Sequence, residues 1–333
     1  MEAPVPSGAE VHTRRRLLLF MSVDIAGSTA YKNTRLLEQV QPWLRVFYEF
    51  YRELPTQLRK RYVDKSSNGE LFAAPSLWKA IGDELVFVSP VNDHRSVPLH
   101  LSNFRETVRA YRRIVQEAEP KLDLKASAWL AGFPVYNSVI LLPRHDGDGP
   151  SEEDYIGPSI DTGFRLGKLA GPSRFMLSVE LAYLLSRMPA DEVGDLAFYY
   201  DNGVELKGVL GGRPYPQIWT QLHLESSLEK AEQVLKPLAK PVPRDALHTF
   251  TKHFIESLGP PLFFPFIEGD SLFNVTSPGY EMDYKRINEM WLKLYEDQLG
   301  QTKPSSVTPL QPYPEFVNAL HTAIQQLTQR PPS

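Results

Sequence analysis

The chain has 333 residues, with 36 lysines and arginines against 40 aspartates and glutamates, a formal charge of −4 and no cysteine. Disulfides, thiolate metal sites and cysteine nucleophiles are therefore excluded, and so is the broadly basic surface of a dedicated nucleic-acid binder. The length allows one large domain with an extension, or two domains, and no apolar run approaches the roughly 18 residues that span a bilayer. A cytoplasmic chain with no DNA and no membrane partner is expected, its residues 1–13 a flexible N-terminus.

In chain order, Arg14, Arg15 and Arg16 form a solvated basic end that leads into an apolar run from Leu17, which reads as a buried strand. That run delivers the carboxylate of Asp24 and breaks at Gly27. Asp24 is either the cap of a helix starting near Ser28 or a ligand at a strand's exit. Leu44, Phe47, Tyr48, Tyr51, Leu54 and Leu58 recur at helical spacing, with Pro42 near the helix start and Pro55 expected to kink or end it. Residues 64–75 read as a loop. Residues 77–88 are two short apolar strands around Gly82-Asp83, the pattern of a hairpin whose turn presents a second carboxylate.

A second amphipathic helix is expected over 97–117, then a strand over 122–133 in which Ala126, Ala128 and Ala131 lie where neighbours pack closely. A polar loop covers 144–153. Asp154 leads into a helix carrying Ile160, Asp161, Phe164, Arg165, Leu166 and Leu169, closed by Gly171 and Pro172. A strand at 175–177, a helix at 179–188 and strands near 196–200, 205–210 and 217–222 complete an alternating series. The fold class is α+β, with a mixed or antiparallel sheet flanked by helices. From 225 prolines interrupt helical patches at 245–258 and 284–299, and residues 329–333 are expected to be disordered. The domains read as 14–224 for the alternating α+β part and 225–333 for a helical C-terminal extension. Eight histidines show no metal-ligand spacing, and His94, His100 and His223 read as incidental.

Asp24 and Asp83, both at turns of expected strands, are the residue type that a pair of hard divalent ions requires. The ordered set runs Asp24-Ile25-Ala26-Gly27-Ser28-Thr29, Lys79-Ala80-Ile81-Gly82-Asp83-Glu84, Asp154 with Asp161 and Arg165, then Leu206-Lys207-Gly208. In this order it resembles the class III nucleotidyl cyclase family, the adenylate and guanylate cyclase catalytic domain, over about 17–222. The resemblance implies that Asp24 and Asp83, with the Ile25 carbonyl, bind two Mn²⁺ or Mg²⁺ ions. It implies that Lys79 and Asp154 read the base, that Arg165 stabilises charge on the reacting phosphate and that Lys207 lies near the triphosphate. Two departures stand out: Asp161 replaces an asparagine, and Val209 stands where the family often has a second lysine.

The family builds its site between two catalytic domains, so the resemblance implies a head-to-tail homodimer with shared active sites. Lys79 as donor and Asp154 as acceptor look like the adenylate cyclase pair, yet the same pair suits cytosine or uracil. Phe50, Tyr51 and Trp78 are candidates to fill the base pocket, with core packing as their competing role. The run from Leu77 to Leu85, the aromatic first helix and the Asp161–Arg165 spacing resemble the pyrimidine cyclases of Pycsar antiphage defence. That resemblance implies a nucleoside triphosphate substrate, UTP or CTP, converted to cyclic UMP or cyclic CMP, which acts on a separate effector. An adenylate cyclase and a degenerate nucleotide-binding module are the alternatives.

Overall fold

Strand β1 (Arg16–Ala26) is the element on which the sheet is assembled, because its residues 17–23 are all buried and both its edges are hydrogen-bonded. The computed structural model describes residues 8–33, 41, 43–63, 72–142, 152–222 and 240–301. A short helix α1 (Gly8–Thr13) precedes β1, and α2 (Ser28–Lys32) follows it. Next come α3 (Leu44–Val63), β2 (Ser76–Ile81), β3 (Glu84–Pro90), α4 (Ser96–Ala118) and β4 (Asp123–Phe133). A hairpin of β5 (Ser138–Leu142) and β6 (Glu152–Ile156) leads to α5 (Pro158–Leu166), β7 (Arg174–Leu177), α6 (Val179–Arg187) and α7 (Ala190–Val193). Strands β8 (Phe198–Val204) and β9 (Tyr215–Gln221) finish the sheet, and α8 (Arg244–Glu256) and α9 (Tyr280–Gln301) follow.

Seven strands lie in the order β2-β3-β1-β4-β7-β9-β8, and β5 pairs only with β6. All neighbours are antiparallel except β4 and β7. The expected α+β class with a mixed, mainly antiparallel sheet is therefore observed. Because side chains alternate along a strand, one face carries Met21, Phe87, Ala126, Ala128 and Phe175, and Phe104 of α4 packs there on Phe87 and Phe175 at 5.9 and 5.8 Å between ring centroids. The small alanines admit that helix. The opposite face carries Phe20, Ser22 and Asp24 of β1 beside Trp129, Ser127 and Lys125 of β4, and α5 lies over it.

Several elements depart from the sequence reading. Helix α3 runs through Pro55 without ending, because Phe50, Leu54 and Leu58 are buried on both sides of the proline and hold the two halves in line. The strand expected at 205–210 is absent: positive φ values of 75° at Gly208, 51° at Leu210, 59° at Gly211 and 90° at Gly212 make a turn and a 3₁₀ segment. The β5–β6 hairpin was not expected, and it places Asp154 on a strand. Arg15 and Arg16 are not solvated, since they pair with Glu281 (2.6 Å) and Glu153 (2.9 Å). Residues 64–71 of the loop expected at 64–75, most of the polar loop at 144–153, His223 and the tail at 329–333 lie outside the described residues.

Helix α8 packs against α6, and Ile267, Phe273 and Tyr280 are buried. Residues through Trp291 form one compact unit and Leu292–Ser333 a second. Among the described residues no helix is long and apolar enough to cross a membrane.

Candidate active site

The alternation that buries β1 turns Asp24 onto the α5 face, opposite Glu84 on β3 and Lys125 on β4. Lys125 Nζ lies 2.8 Å from Asp24 Oδ2. The chain then turns sharply at Gly27, whose φ is 84° and where a Cβ would come 2.9 Å from the Lys121 carbonyl oxygen, so only glycine fits. Helix α2 is preceded by Gly27, with no side-chain cap. Asp24 is thus not a helix cap.

The β2–β3 turn brings Asp83 near Asp24, close enough for its charge to act on the Asp24 carboxyl. Burial raises the Asp24 carboxyl above its ordinary value; Lys125 pulls it down and Asp83 pushes it up. Glu84 is raised too, first by burial, while the Ser22 hydroxyl that donates to it acts the other way. Lys32 Nζ approaches Asp83 at 3.3 Å. Tyr51 of α3 donates its hydroxyl proton to the Gly82 carbonyl, which pins the turn that carries Asp83. Ile25 is buried by its side chain and pairs with Leu124.

A second group forms around Lys79. The β2–β3 register shifts between Leu77 and Lys79, a bulge that leaves Trp78 without a ladder partner. Lys79 Nζ lies 2.6 Å from Asp154 Oδ1 and 2.8 Å from Oδ2, so an ion pair bridges a strand of the main sheet and a strand of the separate hairpin.

The third group sits on α5. Gly163 rests on the Trp129 ring, where a Cβ would fall 2.1 Å from Cε2. With Gly163 turned inward, the helical repeat turns Asp161 and Arg165 outward as an i,i+4 pair. Arg165 Nε donates to the Lys207 carbonyl, and Nη1 donates to the Asp161 carbonyl at 2.9 Å. The Asp161 carboxylate stands 3.8 Å from Arg165 Nη1. Lys207 itself is exposed in the turn that replaced the expected strand. Among the described residues no hydrogen bond or ion pair joins the Arg165 group to Asp24 or Asp83.

Sequence reasoning missed Lys125, Lys32, Glu84 and Ser22. A lysine inside the otherwise apolar β4 run was the available signal for Lys125. It also undervalued His94, which is buried, with Nδ1 2.7 Å from Asp270 Oδ2 and Nε2 3.0 Å from Glu192 Oε2. Asp93, His94 and Asp270 lie close enough to share an ion. The oxygens of Asp270, however, already accept from the His94, Leu272 and Phe273 backbone amides, which makes this group a brace for the 266–273 segment. It stands beyond the end of β3 remote from Asp83. Asp24 and Asp83 suit a hard divalent cation better, because both offer oxygen donors and neither brings an imidazole.

No family model and no curated protein matches the sequence. Among solved structures, the adenylyl cyclase CyaB from P. aeruginosa superposes with a TM-score of 0.47 at 14% identity, covering 65% of this chain and 97% of that one. The guanylyl cyclase Cya2 gives 0.45 at 13% identity, covering 65% and 96%. The guanylate cyclase domain of RhGC from Catenaria anguillulae, in complex with GTP, gives 0.41 at 13% identity, covering 62% and 96%.

Proposed function

We propose that this chain is a nucleotidyl cyclase of the class III type that acts on a pyrimidine nucleoside triphosphate, UTP or CTP, and releases the 3′,5′-cyclic monophosphate and pyrophosphate. The observation that carries the reading is the approach of Asp83, in the β2–β3 turn, to Asp24 of β1, on the sheet face where Lys79 and Asp154 form a donor–acceptor pair. Asp24 and Asp83, with the Ile25 carbonyl, would hold two Mn²⁺ or Mg²⁺ ions. Such ions, when bound, lower the pKa of the attacking hydroxyl and neutralise the leaving group. Lys79 donates to a base carbonyl or ring nitrogen, and Asp154 accepts from an amino or imino proton. Arg165, held by two carbonyls, and Lys207 would meet the triphosphate, and Asp161 stands where it can orient Arg165.

The reading includes the head-to-tail homodimer that the resemblance implies, in which Arg165 of one copy would serve the Asp24–Asp83 pair of the other. Large apolar side chains left exposed on edge strand β2 (Leu77, Ile81) and on α3 (Leu44, Tyr48) support a second copy as the partner. A diffusible cyclic pyrimidine nucleotide would serve as a second messenger for a separate effector, in keeping with the resemblance to antiphage cyclases.

The test is to incubate the full chain and Mn²⁺ with each of ATP, GTP, CTP and UTP and to resolve the products by chromatography. Cyclic UMP or cyclic CMP, lost in Asp24→Asn and in Asp83→Asn, is expected. Cyclic AMP alone would make the chain an adenylate cyclase, to which the Lys79–Asp154 pair is equally suited, and no cyclic product from any of the four would overturn the enzyme reading.

A further inference from the structure

Lys79 and Asp154 meet although no backbone hydrogen bond ties their strands. Strand β2 is the edge of the seven-stranded sheet, and β6 belongs to a two-stranded hairpin of its own. Main-chain pairing therefore does not set the separation of the two groups; side-chain packing must.

The packing that spans this gap is aromatic. Tyr155, next to Asp154, is the only buried residue of β6. Its ring lies 5.1 Å from Trp78, 5.4 Å from Phe20 and 5.4 Å from Phe133, centroid to centroid. Trp78 sits edge-on to Phe20 at 5.1 Å and 6.0 Å from Phe164 of α5. Lys79 Nζ lies 4.7 Å from the centroid of the Trp78 ring, within range of a cation–π contact. The bulge in β2 is what frees Trp78 from the ladder so that its ring can reach Tyr155.

We propose that Trp78 and Tyr155 form an aromatic clasp that docks the β5–β6 hairpin on the sheet and thereby fixes the Lys79–Asp154 pair, making Trp78 a positioning residue for base selection. The inference rests on the cyclase reading, in which that pair reads the base. Trp78 acts through its neighbours: the ring holds Tyr155 on one side and the Lys79 ammonium on the other. With the clasp intact, the donor and the acceptor stand at a fixed spacing that only some base edges match. With the clasp opened, Asp154 moves with its hairpin and the two groups adapt to more bases.

The experiment compares the full-length wild-type chain with Trp78→Ala and Trp78→Phe by two measurements. Steady-state kinetics on the four nucleoside triphosphates should show that Trp78→Ala raises KM for the preferred substrate and narrows its kcat/KM advantage over the others by about tenfold, the worth of an aromatic pair, with kcat changed less. Trp78→Phe should restore most of that advantage. Amide hydrogen exchange should speed up in 138–142 and 152–156 in Trp78→Ala, while β1 and β4 stay protected. Faster exchange in the hairpin with unchanged discrimination would overturn the proposal, as would a uniform loss of protection across the sheet. If the wild type forms no cyclic nucleotide, the cyclase reading falls separately, and unchanged hairpin exchange in Trp78→Ala would then remove the clasp as well.

Discussion

Lys125 and Asp24 face each other across the β1–β4 pair, with Nζ 2.8 Å from Oδ2, so the half-buried carboxylate at the centre of the site is neutralised by a lysine from the neighbouring strand. Removing the ammonium leaves a carboxylate that burial already disfavours. Lys125→Met should therefore lower the stability of the metal-free protein by about 1–2 kcal/mol, the cost of an unpaired polar group discounted for partial exposure. Mn²⁺ should restore more stability to the variant than it adds to the wild type, because the ion no longer competes with an ammonium. Thermal unfolding in EDTA and in Mn²⁺ measures both effects, and an equal response of the two proteins would separate Lys125 from the ion site.

Tyr51, a candidate for the base pocket, donates its hydroxyl proton to the Gly82 carbonyl, beside Asp83, in the single chain. Burial, then Asp83 and Asp24, raises the phenol above its ordinary value, which keeps the proton available for that bond. Tyr51→Phe removes one hydrogen bond, worth about 1 kcal/mol, and frees the turn. Mn²⁺ affinity, followed by the loss of free Mn²⁺ signal in electron paramagnetic resonance, should weaken by about fivefold, the same energy expressed as a ratio. A change confined to nucleotide affinity would return Tyr51 to the base pocket.

How far the sequence carried the structure depended on whether a feature is local. The opening strand and the Gly82-Asp83 hairpin were legible because apolar runs and a turn dipeptide lie within a few residues of each other. The Asp24–Lys125 contact needed a register between residues 101 positions apart (125 − 24), which no local pattern specifies. Strand β6 was hidden because Glu152-Glu153-Asp154-Tyr155-Ile156 is polar and turns only Tyr155 into the core. The strand expected at 205–210 does not form, because Gly208, Gly211 and Gly212 set a left-handed backbone around the apolar Val209 and Leu210.

Gly163 offers a sharp test of how α5 is seated, since a methyl group there would fall 2.1 Å from the Trp129 ring. Trp129 is fully buried and stacked on Phe20 at 5.4 Å, so it has nowhere to retreat. A glycine inside a helix is usually improved by alanine, by about 1 kcal/mol. Here Gly163→Ala should instead destabilise by about 2–3 kcal/mol through overpacking. Chemical denaturation gives the sign directly. A stabilised variant would mean that α5 does not rest on Trp129, and with it would go the outward placement of Asp161 and Arg165.

His100 predicts how the fold responds to acid. Its ring is buried between the Tyr62 hydroxyl, 2.7 Å from Nδ1, and the Ser89 hydroxyl, 3.1 Å from Nε2, and so ties α4 to α3 and β3. Burial lowers its pKa from 6.5 to about 4. A folded-state pKa below the unfolded one means that the unfolded chain takes up the proton first. The contribution is fully present above pH 6.5 and is lost as pH falls towards about 4. Across that window the difference of 2.5 in pKa corresponds to about 3 kcal/mol. His12, lowered chiefly by burial, works in the same direction. In His100→Gln, whose amide can still bond both hydroxyls but does not titrate, the fall in unfolding free energy between pH 6.5 and 4 should be shallower than in the wild type by about 3 kcal/mol. Urea unfolding at closely spaced pH values measures the two slopes, and parallel curves would show that His100 does not titrate differently in the folded and unfolded chain.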